Sequence, residues 1–155
     1  MNIIKVNTIQ ECKQCDHLLE NLIKYESSID DKIKANTIIS NFYERTLEKD
    51  DSVIYACKEE SDLCGFVMAC VSKNTAFVFP IINIVAIYIN ENYRGKGIGK
   101  KLMKQVETWA NEKYKQFMIE LNCISNNVKA LDFYKELGYS EVRMTMRKII
   151  NEEEN

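Results

Sequence analysis

Two periodicities alternate along the chain, and their order gives the expected elements. Met1 to Val6 alternates apolar and polar residues, as a half-buried strand does. Thr8-x-x-Glu11 then reads as a capping box that opens a helix running to about Tyr25, with Ile9, Cys12, Leu18, Leu19, Leu22 and Ile23 among its apolar positions. After the polar break Ser27–Asp31, a second helix is expected from about Asp31 to Glu48, carrying Ile33, Ile38, Phe42, Tyr43 and Leu47. Ser52–Lys58 and Leu63–Ser72 flank a polar turn and predict a hairpin. Ile81–Ile89 is a continuous apolar run rich in β-branched residues, a buried strand entered through Pro80. From Gly97 the spacing becomes helical to about Tyr114, with Ile98, Leu102, Val106 and Trp109/Ala110 on one face. Phe117–Asn122 is a short strand. A further helix, capped by Ser125 or Asn126, ends at Gly138, and Tyr139–Ile149 alternates as a final strand. No repeat or linker interrupts this order, so one domain is expected over residues 1–150, with a frayed acidic tail at 151–155.

The buried strand Ile81–Ile89 leads through Asn90–Tyr93 into Arg94-Gly95-Lys96-Gly97-Ile98-Gly99 and then into a helix. This is a geometry for an anion. The first N–H groups of a helix lack internal partners and carry the positive end of its dipole, and glycines admit a phosphate close to the backbone. Arg94, Lys96, Lys100, Lys101 and Lys104 add positive charge around the turn. A P-loop is excluded, because Arg94 stands where its first glycine belongs and Lys101 where Ser or Thr belongs. A dinucleotide fingerprint counted from Gly95 would need a glycine at Lys100. The competing reading is an ordinary glycine-rich strand–helix turn.

Composition narrows the class. A net charge of −2 argues against a general nucleic-acid binder, and no apolar run is long enough to span a membrane. The N-terminus lacks the charged start and long apolar core of a signal peptide, so a cytoplasmic protein is expected. Cys12-x-x-Cys15 near His17 suggests a metal, but there is no second cysteine pair at zinc spacing and no other histidine. No metal is therefore expected, and the six cysteines read as reduced, structural thiols.

The turn Arg94–Gly99 resembles the acetyl-CoA signature of the GNAT superfamily of N-acetyltransferases, Gln/Arg-x-x-Gly-x-Gly/Ala. A second stretch, Asn127-x-x-Ala130-x-x-Phe133-Tyr134-x-x-Leu137-Gly138-Tyr139, is similar to that family's later helix, and it follows in the expected order with one strand between. The resemblance covers roughly residues 51–148. The first fifty residues match only in pattern, as expected of the part that varies with substrate. It implies an α/β fold: a central, mostly antiparallel mixed sheet flanked by helices and splayed at the acetyl-CoA site.

The resemblance also implies roles. Arg94, Gly95, Lys96, Gly97, Gly99 and Lys100 would hold the pyrophosphate of acetyl-CoA as cosubstrate. Backbone groups of Ile87 and Ile89 would pair with the pantetheine arm in the gap beside Phe117–Asn122, and one such N–H would polarise the thioester carbonyl. Asn127 would lie near that arm, or serve only as a helix cap. Tyr134 would protonate the departing thiolate, since a phenol keeps its proton at neutral pH. The alternative for Tyr134 is a core aromatic beside Leu131 and Leu137. Many relatives carry a strand glutamate as base, but Asn83, Ile84, Val85 and Ala86 occupy that region here. Glu120 is the substitute, unless it is merely a solvated strand residue. Glu44 or the Asp30/Asp31 pair could attract a cationic amine. The expected function is acetyl transfer to a primary amine, on a small molecule or a peptide, by direct attack in a ternary complex. The alternative is a non-catalytic acyl-CoA sensor. No nucleic-acid or membrane partner is expected, and a homodimer is compatible with the chain.

Overall fold

The strand patterns close into one mixed sheet. The computed structural model describes residues 1–40 and 42–151, with Arg45 described by its backbone alone. Strands β1 (Asn2–Lys5), β2 (Ser52–Glu59), β3 (Asp62–Val71), β4 (Ile81–Ile89) and β5 (Met118–Leu121) lie side by side in chain order. The first three pairings are antiparallel and β4–β5 is parallel. The helices are α1 (Ile9–Ser27), α2 (Ile98–Lys113) and α3 (Val128–Glu136). This is the α/β mixed sheet expected from the sequence.

Strand alternation sorts the side chains into two cores. On one face Val53, Val67, Ile82 and Ile84 pack with Ile98, Leu102, Val106 and Trp109 of α2. On the other, Ile54, Phe66, Met68, Ala86 and Tyr88 pack with Cys12, Cys15 and Leu18 of α1. Leu102 and Val106 have no exposed surface, and full burial of such side chains is worth about 1.5–3 kcal/mol each. β4 changes face partway. Ala69 stands opposite Ile84 but Met68 stands opposite Ala86, so Val85 is an extra residue on β4. The bulge moves the odd-numbered Ile87 and Ile89 to the α2 side, which Ile82 and Ile84 occupied before it.

α1 begins as its capping box predicts, with a shift of one residue. Thr8 Oγ1 accepts the Glu11 N–H at 3.2 Å, while Glu11 Oε2 accepts the N–H of Asn7, at 3.3 Å, rather than that of the cap itself.

Three expectations are corrected. The described residues of 31–48 form turns, irregular chain and one short 3-10 helix, Glu44–Thr46, instead of a helix. The acids of α1 claim the backbone here: Glu20 accepts the Ile39 N–H at 2.9 Å and Asp16 the Tyr43 N–H at 3.3 Å. Those donors would otherwise serve a helix. The cap of α3 is Asn127, not Ser125 or Asn126. The stretch 139–149 joins no strand among the described residues. Its alternation orders side chains only: Arg143 and Arg147 reach Glu120 and Asp30, while Met144 and Met146 stay more than four-fifths exposed. The acidic tail lies, apart from Asn151, outside the described residues.

Candidate active site

β4 and β5 pair only from Ile81 opposite Met118 to Ile84 opposite Leu121. β5 then ends and β4 continues from Val85 to Ile89, paired on its β3 side alone. The sheet therefore opens where the bulge lies, at the stretch that leads to the glycine turn. The Asn90 N–H is given to Cys64 on the β3 side at 2.9 Å. Backbone groups alternate along a strand, so those of Ile87 and Ile89 face the vacated edge. The Ile89 carbonyl already accepts Arg94 Nε at 2.9 Å. That leaves the Ile89 N–H and both polar groups of Ile87 without a hydrogen-bond partner among the described residues.

Beyond β4 one 3-10 turn, Glu91–Tyr93, delivers the chain to Arg94 and the glycines. Gly95 and Gly97 take φ of 75° and 73°, which an L side chain rarely adopts, and a Cβ on either would meet nothing within 4 Å. The concave side of the turn is open. Gly97 caps α2 without any side-chain hydrogen bond, and Lys101 is the first amide to find a partner, the Gly97 carbonyl at 3.1 Å. The amides of Ile98, Gly99 and Lys100 have no acceptor among the described residues. Gly99 serves differently. A Cβ there would stand 3.0 Å from Phe133 Cζ, so its bareness seats α3 against the first turn of α2.

The expected cations divide. Lys96 Nζ lies 5.1 Å over the Tyr93 ring, and Lys100 is exposed beside the open amides. Arg94 turns back. Its guanidinium carbon lies 5.2 Å from the centre of the Tyr25 ring and 5.5 Å from that of Tyr88. Its side chain thus ties the last turn of α1 to the end of β4.

α3 brings Tyr134 up to the site. Asn127 Oδ1 accepts the Ala130 N–H at 3.3 Å, which is a capping bond and leaves the Asn127 amide nitrogen unused. At the other end the Tyr139 N–H returns to the Tyr134 carbonyl at 3.0 Å, and the two rings meet edge to face at 5.9 Å. Burial raises the Tyr134 phenol well above its ordinary value, with Cys123, Tyr139 and Glu26 adding to the effect. Burial likewise pushes Tyr139 up to about 12. Tyr134 therefore holds its proton throughout the neutral range.

The acids nominated from sequence are mostly engaged. Glu120 stands opposite Asn83 in the paired part of β5, with both carboxylate oxygens 3.3 Å from Arg143 Nη2. Asp30 is gripped by Arg147 at 2.9 and 3.0 Å, and Asp31 by Lys32 at 2.6 Å. Sequence reasoning passed over Glu26, in the last turn of α1. Its signal was its place: an acid at a helix C-terminus opposes the dipole. Among the described residues no group of three or more His, Cys, Asp or Glu could hold a metal. A surface concavity lies elsewhere, lined by Asp50, Cys70, Ser72 and Asn83, where β2 and β4 begin and β3 ends.

The model of the acetyltransferase (GNAT) family matches residues 17–139. An uncharacterised N-acetyltransferase of Methanocaldococcus jannaschii is 26% identical over 144 residues, 90% of this chain and 63% of that protein. The catalytic subunit of the N-terminal acetyltransferase B complex of Schizosaccharomyces pombe is 36% identical over 114 residues, 70% of this chain and 61% of that protein. The chain thus spans a little over three fifths of each relative. A crystal structure of the Bacillus halodurans protein BH1408 superposes with a TM-score of 0.84 at 18% identity, covering 97% of this chain and all of the other, which is a likeness of fold. With a family model matched across most of its length, the chain belongs to the acetyltransferase (GNAT) family.

Proposed function

We propose that the protein transfers the acetyl group of acetyl-CoA to a primary amine, on a small molecule or a peptide, by direct attack in a ternary complex. The observation that carries this reading is the parting of β4 from β5 immediately before an uncapped helix. A pantetheine arm carries amides that need partners, and the vacated edge of β4 offers them at Ile87 and Ile89. A pyrophosphate needs N–H donors, and the first amides of α2 are unpaired, with Lys96 and Lys100 nearby. A backbone N–H on the same edge would meet the oxygen of the tetrahedral intermediate.

Tyr134 supplies the proton. When the amine nitrogen bonds to the thioester carbon and the C–S bond breaks, the thiolate gains a proton from the phenol and leaves as coenzyme A. No covalent acetyl-enzyme is required: Cys123, the cysteine just beyond β5, is raised above its ordinary value by burial and stays a thiol at neutral pH. Six free thiols also fit a reducing compartment, which supports a cytosolic location.

The test is thiol release from acetyl-CoA on addition of alkylamines and of peptides with free N-termini. Amine-dependent release supports transfer. Tight coenzyme A binding without release by any amine would favour the sensor reading instead. Arg143 holds both oxygens of Glu120, so Glu120→Gln should change kcat/KM by less than about threefold, well under the loss expected of a general base.

A further inference from the structure

The acceptor side of the gap lacks an assigned residue, and one unused carboxylate stands there. Glu26 is half-buried in the last turn of α1, and among the described residues its side chain has no hydrogen bond and no ion pair. The neighbouring cations are engaged elsewhere: Arg147 by Asp30, and Arg94 by the Ile89 carbonyl and two rings. Removing a carboxylate from water without a partner disfavours its charged form, so a cation arriving beside it would be bound favourably. Burial raises its pKa, and no nearby cation lowers it.

Its surroundings come from the elements around the gap. Glu26 acts electrostatically on Cys123, just beyond β5, and on Tyr134 of α3. Burial is the main cause of the raised values of both. Next to Glu26, the Tyr25 ring is tied through Arg94 to Tyr88 and Ile89 at the end of β4. Arg94 thus brings the end of α1 beside the end of β4, Phe133 seats α3 against Gly99 at the start of α2, and Glu26 is the acid that acts on both Cys123 and Tyr134.

We infer that Glu26 is the acceptor-binding acid: it receives the ammonium form of a primary amine beside Tyr134 and takes its proton before attack. The inference rests on the acetyl-transfer reading above and gives it a substrate class, an amine that arrives cationic. The proton count closes. An ammonium nitrogen carries three protons and the amide product carries one. One proton passes to the Glu26 carboxylate and on to solvent. The free amine then bonds to the thioester carbon and the C–S bond breaks. The Tyr134 proton goes to the thiolate, and the second nitrogen proton restores the phenol. Of the groups near Glu26, Cys123 and Tyr134, with Tyr139 behind Tyr134, stay protonated at neutral pH, Asp30 is held by Arg147, and Arg94 lies over the ring of the adjacent Tyr25. The carboxylate is thus the group there that can accept a proton.

The experiment compares wild type, Glu26→Gln and Glu26→Asp, using 1,4-diaminobutane and a tripeptide with a free N-terminus. Coenzyme A affinity should be the same in all three, which also checks folding. Glu26→Gln should lower kcat/KM for the diamine at pH 7 by at least tenfold, chiefly through KM. It should lower that for the tripeptide less, since an α-amine is more often neutral at that pH. Glu26→Asp should recover part of the loss. Equal kcat/KM in wild type and Glu26→Gln, for every amine that is used, overturns the inference. If wild type binds coenzyme A yet acetylates neither amine, the transfer reading fails separately. Glu26 is then judged by the ¹³C shift of its labelled carboxyl as diaminobutane is added to the coenzyme A-loaded protein: a saturable shift supports the site, and an unmoved signal sinks it.

Discussion

The starts of α1 and α2 solve the same problem in opposite ways. Each leaves amides without intrahelical partners. At α1 the chain closes them with its own groups: Thr8 takes the N–H of Glu11, and Glu11 reaches back to Asn7. At α2 nothing is closed. Gly97 offers no side chain, no acid lies in the first turn, and a Cβ on Gly95 or Gly97 would meet open space. The first start holds the fold together. The second forgoes a cap, a loss of typically about 1 kcal/mol, and leaves its first donors open. α3 stands between them, capped by Asn127 and contributing Tyr134 from its body. The contrast separates what each helix should lose when altered.

The sharpest way to break it is Gly97→Val. A branched side chain would fill the open side of the turn, and we expect coenzyme A affinity measured by calorimetry to fall by at least about a hundredfold, near 2.7 kcal/mol. The backbone there has φ of 73°, so some stability is lost as well, about 1–2 kcal/mol. A thermal melt showing a folded variant with undiminished affinity would mean that the open helix start binds nothing.

Tyr134→Phe is next in size. If α2 serves through its backbone and α3 through a side chain, the two changes should move different quantities. Tyr134→Phe keeps the ring against Tyr139 and removes the proton. We expect kcat to fall at least about tenfold, the low end for lost acid catalysis, with coenzyme A affinity within twofold. Unchanged turnover would make Tyr134 a packing residue, the other reading its half-buried place allows.

Much of this contrast was legible in the residues. The glycine turn, the helical spacing from Ile98 and the apolar run of β4 are local signals, and each element falls within a residue or two of its expected ends. The two misread stretches fail for a shared reason: their conformation is set by groups distant in sequence. Residues 31–48 carry apolar spacing loose enough for a helix, but Asp16 and Glu20 take the amides of Tyr43 and Ile39. Residues 139–149 alternate like a strand, but alternation cannot say whether a neighbouring strand is present to pair with. The site shows the same division. Spacing alone puts the motif positions forward, whereas Glu26 is proposed from its action on Cys123 and Tyr134, which no spacing reveals. Nor could the motif tell Gly97 from Gly99, one facing open space and the other Phe133.

Thr8→Ala tests the closed start. Losing the cap should cost about 1 kcal/mol in chemical denaturation, within the usual range of about 0.5–2. Coenzyme A affinity and turnover should stay within experimental error, because α1's first turn is remote from the gap. A fall in affinity to match Gly97→Val would dissolve the distinction between structural and ligand-binding starts.

The smallest effect concerns Glu11, and it should depend on pH in a known direction. Partial burial opposes its charge, but hydrogen bonds from the Asn7 amide, Lys58 and Thr8 outweigh that and hold its carboxyl below the ordinary value of 4.5. A carboxylate whose pKa is lower in the folded state favours folding most above its unfolded value, and this contribution is lost as pH falls through the folded value. Wild type should therefore be more stable than Glu11→Gln at pH 7, by about half a kcal/mol for a first-turn acid whose side chain is only partly exposed. Denaturation curves at pH 7, 5, 4 and 3 should show that difference constant down to about pH 5 and shrinking below 4.5. A difference that holds unchanged to pH 3 would mean that Glu11 works through hydrogen-bond shape rather than charge. Raised salt should weaken the effect too, since the Lys58 pair at 3.3 Å lies partly in water.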